Sequence, residues 1–113
     1  MSVQKYKIDP FYALADPSRR EILLMLGKER RTISTLASRF DVSRPAVSKH
    51  IKVLYDAGFI DIEDVGRERY CALKSDGFDL VKDWVGHFEQ FWQVRMKNLE
   101  NLLNERSLKK NKK

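Results

Sequence analysis

The stretch Ser43–Gly58 repeats apolar residues with the 3.6-residue period of an amphipathic α-helix. The apolar positions of one face are Val47, Ile51 and Leu54, with His50 at the edge. The polar positions of the opposite face are Pro45, Ser48, Lys49 and Lys52. Ser43 can cap the first turn, and Gly58 suits the end of a helix. The pattern predicts a helix over about 43–57 with one face in a core and the other free for a partner.

Three shorter helices are predicted before this one. Asp9-Pro10, Asp16-Pro17 and Thr32 each supply an N-cap, and apolar residues at helical spacing follow each of them. The third helix carries Ile33, Leu36, Ala37 and Phe40 on one face, and only residues 41–43 separate it from the helix over 43–57. Two helices joined so tightly are typical of a helix-turn-helix.

After Gly58 the period changes from 3.6 to 2, which predicts a β-hairpin over about 59–73. In a helix-turn-helix protein, a β-hairpin that directly follows the second helix is called a wing. Arg67 and Arg69 lie at or near its tip, where they could contact the DNA backbone or minor groove. Four acids lie close by, so cross-strand ion pairs are the alternative; they are Asp61, Glu63, Asp64 and Glu68.

The last segment opens with Ser75-Asp76-Gly77 and predicts one long helix over about 76–105, in which Gly86 is the only glycine or proline after that opening. Its apolar stripe includes Val81, Val85, Phe88, Trp92, Met96 and Leu99. Such a helix would be roughly 45 Å long, more than a small domain needs for its own core. We therefore expect a second subunit to cover the stripe; an aromatic-rich core helix in a monomer is the alternative.

Composition and charge restrict the function. The 113 residues suffice for one domain, and residues 1–8 read as a flexible arm and 106–113 as a basic tail. No apolar run is long enough for a membrane span or a secretory signal, so we expect a cytoplasmic protein. The net charge of +6 favours a polyanionic partner. One cysteine excludes an internal disulfide and a cysteine-rich zinc site.

The basic residues of the helix over 43–57 predict double-stranded DNA as that partner. Arg44, Lys49 and Lys52 occur between Ser43 and Tyr55 without any acid. A major groove admits one such helix. The alternatives are a solvated amphipathic face and a protein-interaction module without DNA binding. No enzyme is indicated, because the chain shows no nucleophile elbow, no Gly-rich phosphate loop and no paired histidines.

The chain also resembles the ArsR-type winged-helix repressors over residues 9–103. The resemblance rests on Ala13–Leu26, Val42–Phe59 and Gly66–Arg69, and Asp83–Val85 with Phe91–Glu100 is similar to an SdpR-like subgroup. It implies a winged helix-turn-helix fold, mainly α with a β-hairpin wing and a long C-terminal dimerisation helix. It implies DNA contact by Ser43, Arg44, Pro45, Ser48, Lys49 and His50. It also implies that the first helix joins the dimer interface, which adds Phe11 and Leu14.

The metal-binding residues of that family are not matched. The Cys-x-Cys type of site has no counterpart in residues 32–37, and Asp83 and His87 lack a second histidine after them. We therefore predict no cofactor, no metal site and a homodimeric repressor that metal does not control, with autoregulation as one form that its function can take. Cys71 is expected to be an inert strand residue. A metal- or thiol-responsive sensor and a regulatory protein partner are the remaining alternatives.

Overall fold

The computed structural model describes residues 7–40 and 42–111, with side chains to residue 106. The chain forms two compact units, residues 1–81 and 82–113. The elements in chain order are α1 (Pro10–Leu14), α2 (Pro17–Leu26), β1 (Arg31–Thr32), α3 (Ile33–Ser38), α4 (Arg44–Asp56), β2 (Ile60–Val65), β3 (Glu68–Leu73), α5 (Ser75–Gly86) and α6 (Glu89–Asn111). The resulting fold is mainly helical with a β-hairpin, as the sequence predicts.

The first four helices begin where the sequence places their N-caps. The side chain of Asp9 accepts a hydrogen bond from the backbone N–H of Phe11 at 3.0 Å. Asp16 and Thr32 cap α2 and α3 in the same way. The Ser43 hydroxyl oxygen accepts from the Ala46 N–H at 3.3 Å. Each bond satisfies an N–H group that the helix itself cannot pair, which confirms the predicted starts.

The end of α4 is a Schellman motif built on Gly58. The φ angle of Gly58 is 84°, a conformation that glycine adopts without steric cost. Its N–H donates to the Tyr55 carbonyl at 3.1 Å, and the Phe59 N–H donates to the Leu54 carbonyl at 3.0 Å. These two bonds pair the last carbonyls of the helix, so the predicted stop at Gly58 is confirmed.

The hairpin is part of a three-stranded antiparallel sheet with the order β1-β3-β2. Val65 pairs with Glu68, so Gly66 and Arg67 form a two-residue turn, and Gly66 has a φ of 62°. The hairpin was predicted, but β1 was not. Arg31 and Thr32 pair with Cys71 and Tyr70, and a strand of two residues is too short to show a period.

The core lies between α1–α4 and the inner side of the sheet. Its largest fully buried side chains are Phe59, Ile22, Leu36, Ile51, Leu54, Ile60 and Val47. The apolar face predicted for α4 is therefore buried. Ile8 also packs against this core, so the flexible arm predicted over 1–8 is wrong at that residue. The rest of that arm, residues 1–6, and the turn residue 41 lie outside the described residues.

The long C-terminal helix was predicted as one element, and that is wrong. α5 ends at Gly86 and α6 begins at Glu89. The His87 and Phe88 N–H groups donate to the Trp84 and Val85 carbonyls, three residues back. These i→i−3 hydrogen bonds make the last turn of α5 tighter than an α-helical turn and end the helix. Gly86 favours the break, because glycine has the greatest backbone freedom.

Two other boundaries differ from the prediction. α3 ends at Ser38, so Phe40 lies in the turn, although it still packs against the core. α6 continues to Asn111, so the predicted tail at 106–113 is helical over most of its length; residues 112–113 are outside the described part. Within residues 7–40 and 42–111, no helix is both long and apolar enough to cross a bilayer.

Gly77 is the point where α5 packs on the start of the wing. A Cβ atom at this position would lie 2.8 Å from Cδ1 of Phe59 and 3.0 Å from the Ala57 carbonyl oxygen. The Gly77 N–H also donates to the Gly58 carbonyl at 2.8 Å. Phe59 cannot move away easily, because it is fully buried and its ring packs edge-on against Phe78 with centroids 4.8 Å apart. Only glycine therefore fits here.

Gly77→Ala should destabilise the protein by about 1–3 kcal/mol, because the added methyl group overpacks the contact with Phe59. Gly86→Ala is the matched control, since a Cβ there meets no atom within 4 Å. It should be neutral or stabilise by less than about 1 kcal/mol. Urea unfolding followed by circular dichroism measures both changes. Equal stability of the two variants would contradict the packing described for Gly77.

Candidate nucleic-acid interface

The polar face of α4 is exposed along its whole length. The exposed residues among those predicted to contact DNA are Ser43, Arg44, Pro45, Ser48, Lys49 and Lys52, whereas His50 is half-buried. The opposite face is fixed in the core by Val47, Ile51 and Leu54. Burial on one side thus presents the polar residues together on the other side of one rigid helix.

Two cations of this face have no partner within the described part of the chain. No ion pair or hydrogen bond there holds the side chains of Arg44 and Lys49. Arg44 also lies in the first turn, where the unpaired N–H groups and the helix dipole favour an anion. Both cations are therefore free to neutralise phosphate.

Lys52, by contrast, is paired inside the chain. Its Nζ lies 3.0 Å from Oδ2 and 3.2 Å from Oδ1 of Asp56, whose side chain is only 12% exposed. The sequence prediction missed this pair because its search for acids ended at Tyr55. The i, i+4 spacing would have revealed it, since residues four apart share a helix face.

The two arginines of the wing also differ from each other. Arg67 is exposed in the hairpin turn and forms no ion pair with any residue that the structure describes. Arg69 donates through Nε to Oδ1 of Asp64 at 2.8 Å and through Nη2 to Oδ2 at 3.4 Å. This hydrogen-bonded pair holds the pKa of Asp64 below its usual range. The alternative of a cross-strand ion pair therefore holds for Arg69, whereas Arg67 has no ion pair among the described residues.

The base of the wing is held by a third arginine, which the sequence prediction overlooked. The Arg30 guanidinium lies 4.4 Å from the centre of the Tyr70 ring, and its Nη1 lies 3.6 Å from a carboxylate oxygen of Glu63. Glu63 and Tyr70 face each other across the hairpin. These contacts connect the segment before β1 to the wing and stiffen the hairpin.

His50 is oriented toward the interior by Arg19, which is buried. The Arg19 Nε donates to the Ala13 carbonyl at 2.7 Å and its Nη2 to the Tyr12 carbonyl at 3.0 Å. Its Nη1 lies 3.5 Å from Nδ1 of His50. Arg19 is therefore neither a solvated cation nor free to bind phosphate. Its burial follows from the helix packing, which no local pattern reveals.

Asp16 completes this cluster next to the N-terminus of α2. Burial opposes ionisation of its carboxyl group. The hydrogen bonds from the Ser18 and Arg19 N–H groups and the charge of Arg19 oppose that effect, and the pKa of Asp16 is lowered. Oδ2 lies 3.7 Å from Nη1 of Arg19. Asp16 is therefore both the cap of α2 and a counter-charge for the buried arginine.

Cys71 is fully buried on β3, opposite Ile62. Desolvation raises the pKa of its thiol to about 11, and the nearby charge of Arg69 only partly offsets this. The thiolate is the reactive form, so the thiol is inert at neutral pH. This environment favours the structural interpretation of Cys71 over a redox switch.

Asp83 and His87, which the sequence analysis considered as metal ligands, make a different contact in the structure. Nδ1 of His87 lies 2.9 Å from the backbone carbonyl oxygen of Asp83. The imidazole thus caps the end of α5 and does not point to the Asp83 carboxylate through that nitrogen. Within residues 7–40 and 42–111, no three His, Cys, Asp or Glu side chains converge as metal ligands.

The second unit exposes a continuous apolar surface. The predicted interface residues within it are about half exposed, namely Val85 (45%), Phe88 (44%), Trp92 (54%), Met96 (65%) and Leu99 (49%). A groove of about 590 Å³ is lined by Val85, Gly86, Trp92 and Met96 together with polar residues. Phe11, Leu14 and Val81 are half-buried, and the last two pack against the core of their own chain. The exposed part of the predicted interface is therefore on α5 and α6.

Comparison with known proteins assigns this architecture to a class. The family profile described as a helix-turn-helix domain matches residues 14–63. The transcriptional repressor SdpR of Bacillus subtilis is 31% identical over 78 residues, which cover 69% of this chain and 87% of SdpR. The HTH-type transcriptional regulator Rv2034 of Mycobacterium tuberculosis is 30% identical over 104 residues, 92% of this chain and 94% of that protein.

A solved structure gives the same result. The crystal structure of an ArsR family transcriptional regulator superposes with a TM-score of 0.68 at 39% identity, covering 74% of this chain and 87% of the other. The fold is a winged helix-turn-helix, with α3 and α4 as its two helices and β2–β3 as its wing. The chain belongs to the ArsR family of helix-turn-helix transcriptional regulators. These are DNA-binding proteins and not enzymes.

Proposed function

We propose that the protein is a homodimeric repressor that inserts α4 into the major groove of double-stranded DNA. The observation that carries this proposal is the exposed face of α4, on which Arg44 and Lys49 are unpaired. Arg44 and Lys49 supply the electrostatic attraction to phosphates. Ser43, Pro45 and Ser48 line the same face, with His50 at its edge, and contribute hydrogen bonds or apolar contacts to base edges. Lys52 adds less, because Asp56 already neutralises it.

The wing adds a second contact through Arg67. Its place in a two-residue turn puts the guanidinium at the tip of a stiff hairpin, where it can lie against backbone phosphate or enter the minor groove. Arg69 is assigned a structural part in this proposal, since its charge is used by Asp64. The wing contact should strengthen binding more than it changes sequence preference.

The dimer is proposed from the apolar surface of α5 and α6. A surface of this kind, with two tryptophans about half exposed, is normally covered by another subunit. A two-fold axis through it is the simplest closed arrangement, and it would give one copy of α4 to each half of a two-fold-symmetric DNA site. Such a dimer would occlude a promoter in the cytoplasm.

We further infer that release from DNA does not depend on a transition metal. Zinc requires about four converging nitrogen, sulfur or carboxylate ligands. In this chain His87 uses one ring nitrogen on the Asp83 backbone, and Cys71 is buried and protonated. A change in protein level or a competing regulatory protein is the release mechanism that fits this chemistry.

Replacing Arg44 and Lys49 together with Glu should abolish binding to duplexes that the wild-type protein selects from a random-sequence library. Each lost phosphate contact should flatten the log–log salt dependence by about one unit. The matched control is Lys28→Glu with Lys97→Glu, which are exposed and distant from α4 in sequence. Both double variants lower the net charge from +6 to +2 (6 − 4). Fluorescence anisotropy measures the affinities, and equal losses in the two variants would show a nonspecific charge effect instead.

Trp92→Ala should weaken the dimer by about 3–5 kcal/mol if the indole is fully buried between subunits. Sedimentation should then detect monomers at concentrations where the wild type is dimeric. Leu24→Ala is the control, because Leu24 is 68% exposed and lies outside the α5–α6 surface. A wild-type protein that is monomeric at micromolar concentration would rule out this interface.

Zinc and chelators should leave the affinity for the selected duplex unchanged within about twofold, since no set of four ligands converges in the described residues. Titration of zinc into the protein–DNA complex is the measurement. A tenfold loss of affinity that chelator reverses, and that is absent in His87→Ala, would instead establish a metal sensor.

A further inference from the structure

Two neighbouring arginines of α2 bind carbonyl oxygens at the end of α1, but only one of them reaches α4. Arg20 donates to the Leu14 carbonyl at 2.7 Å and stays exposed. Arg19 binds the Ala13 and Tyr12 carbonyls and extends to His50. Both side chains thus hydrogen-bond backbone carbonyls of α1, and Arg19 additionally contacts α4 through His50.

A hydrogen bond from Arg19 to His50 would also fix where the neutral imidazole carries its proton. A guanidinium has five N–H donors and no acceptor. A hydrogen bond between Nη1 of Arg19 and Nδ1 of His50 therefore requires Nδ1 to accept it. The proton of the neutral ring must then be on Nε2, which becomes a donor.

Contacts of this kind restrict a helix differently from apolar packing. Val47, Ile51 and Leu54 hold α4 by burial, whose driving force has no preferred direction, and by close packing in the core. A hydrogen bond is directional, and it weakens steeply as its angle departs from linear. The buried guanidinium is in turn fixed by two carbonyls and by Asp16, 3.7 Å away. The Arg19–His50 contact can therefore set the rotation of α4 more narrowly than the core alone.

We propose that Arg19 is a positioning residue for DNA recognition, which acts through His50 by fixing the rotation of α4 and presenting the His50 Nε2–H as a donor to a base edge. Arg19 itself touches no DNA in this arrangement, since its side chain is 9% exposed. The inference rests on the proposed function and adds to it the residue that orients the reading face.

The first test measures the tautomer in the free protein. At about pH 8, where an ordinary imidazole is neutral, ¹⁵N NMR should show His50 with its proton on Nε2 alone. Arg19→Lys keeps the positive charge, but all its N–H donors lie on one nitrogen, which cannot reach the Ala13 and Tyr12 carbonyls and His50 together. A mixture of tautomers is therefore expected. Arg20→Lys should leave the signal unchanged. A wild-type His50 protonated on Nδ1 would overturn the proposal, even if Arg19→Lys does not fold.

The second test separates positioning from stability. The probes are a duplex selected by the wild-type protein from a random library and an unrelated duplex of equal length. Arg19→Lys should lower the ratio of the two affinities about tenfold, roughly the discrimination of one base contact. Its affinity for the unrelated duplex should change less than about twofold, because Arg44, Lys49 and Arg67 remain. A merely structural role would lower both affinities together, in proportion to the unfolded fraction seen by circular dichroism.

A double-variant cycle shows whether Arg19 acts through His50. If it does, Arg19→Lys combined with His50→Phe should lose no more discrimination than His50→Phe alone. Additive losses, or an equal loss in Arg20→Lys, would overturn the proposal and leave the DNA-binding function in place. If the wild-type protein selects no duplex at all, both the proposed function and this inference are wrong.

Discussion

The burial of Val47, Ile51 and Leu54 is the interaction on which the rest of this structure depends. These three side chains lie at the centre of a core that α1, α2, α3 and β2 all share. Fixing one face of α4 in this way leaves the opposite face exposed as a rigid surface. A single stripe of apolar residues thus provides both the stability of the domain and the orientation of its candidate reading face.

Whether a surface cation can bind an external anion depends on whether an acidic residue of the same chain already pairs with it. Lys52 and Arg69 are exposed cations, but Asp56 and Asp64 neutralise them within 3.0 Å. Surface pairs of this kind add little stability, yet they decide which cations remain for an external anion. Arg44, Lys49 and Arg67 are what remains of the predicted set. The candidate DNA contacts are therefore fewer and more sharply located than composition indicates.

The two units of the chain expose different chemistry. The first combines a closed core with a basic recognition face. The second presents half-exposed Trp84, Phe88 and Trp92 on helices with little burial of their own. An apolar surface of this size is costly in water and needs a cover. In the proposed dimer a second subunit supplies that cover, so that DNA binding and subunit association would use separate parts of one short chain.

The sequence by itself determined the features that local chemistry controls. Caps at Asp9, Asp16, Thr32 and Ser43, the stop at Gly58 and the hairpin were predicted because neighbouring residues along the chain form each of them. The i, i+4 ion pair of Lys52 and Asp56 is also a local feature. A search for acids that continued past Tyr55 would have predicted it.

Only the tertiary structure decided what depends on contacts distant in sequence. Strand β1 exists because β3 offers its edge, and Arg19 is buried because α1, α2 and α4 meet around it. No pattern along the chain predicts these contacts, since residues up to 40 positions apart (71 − 31) form them.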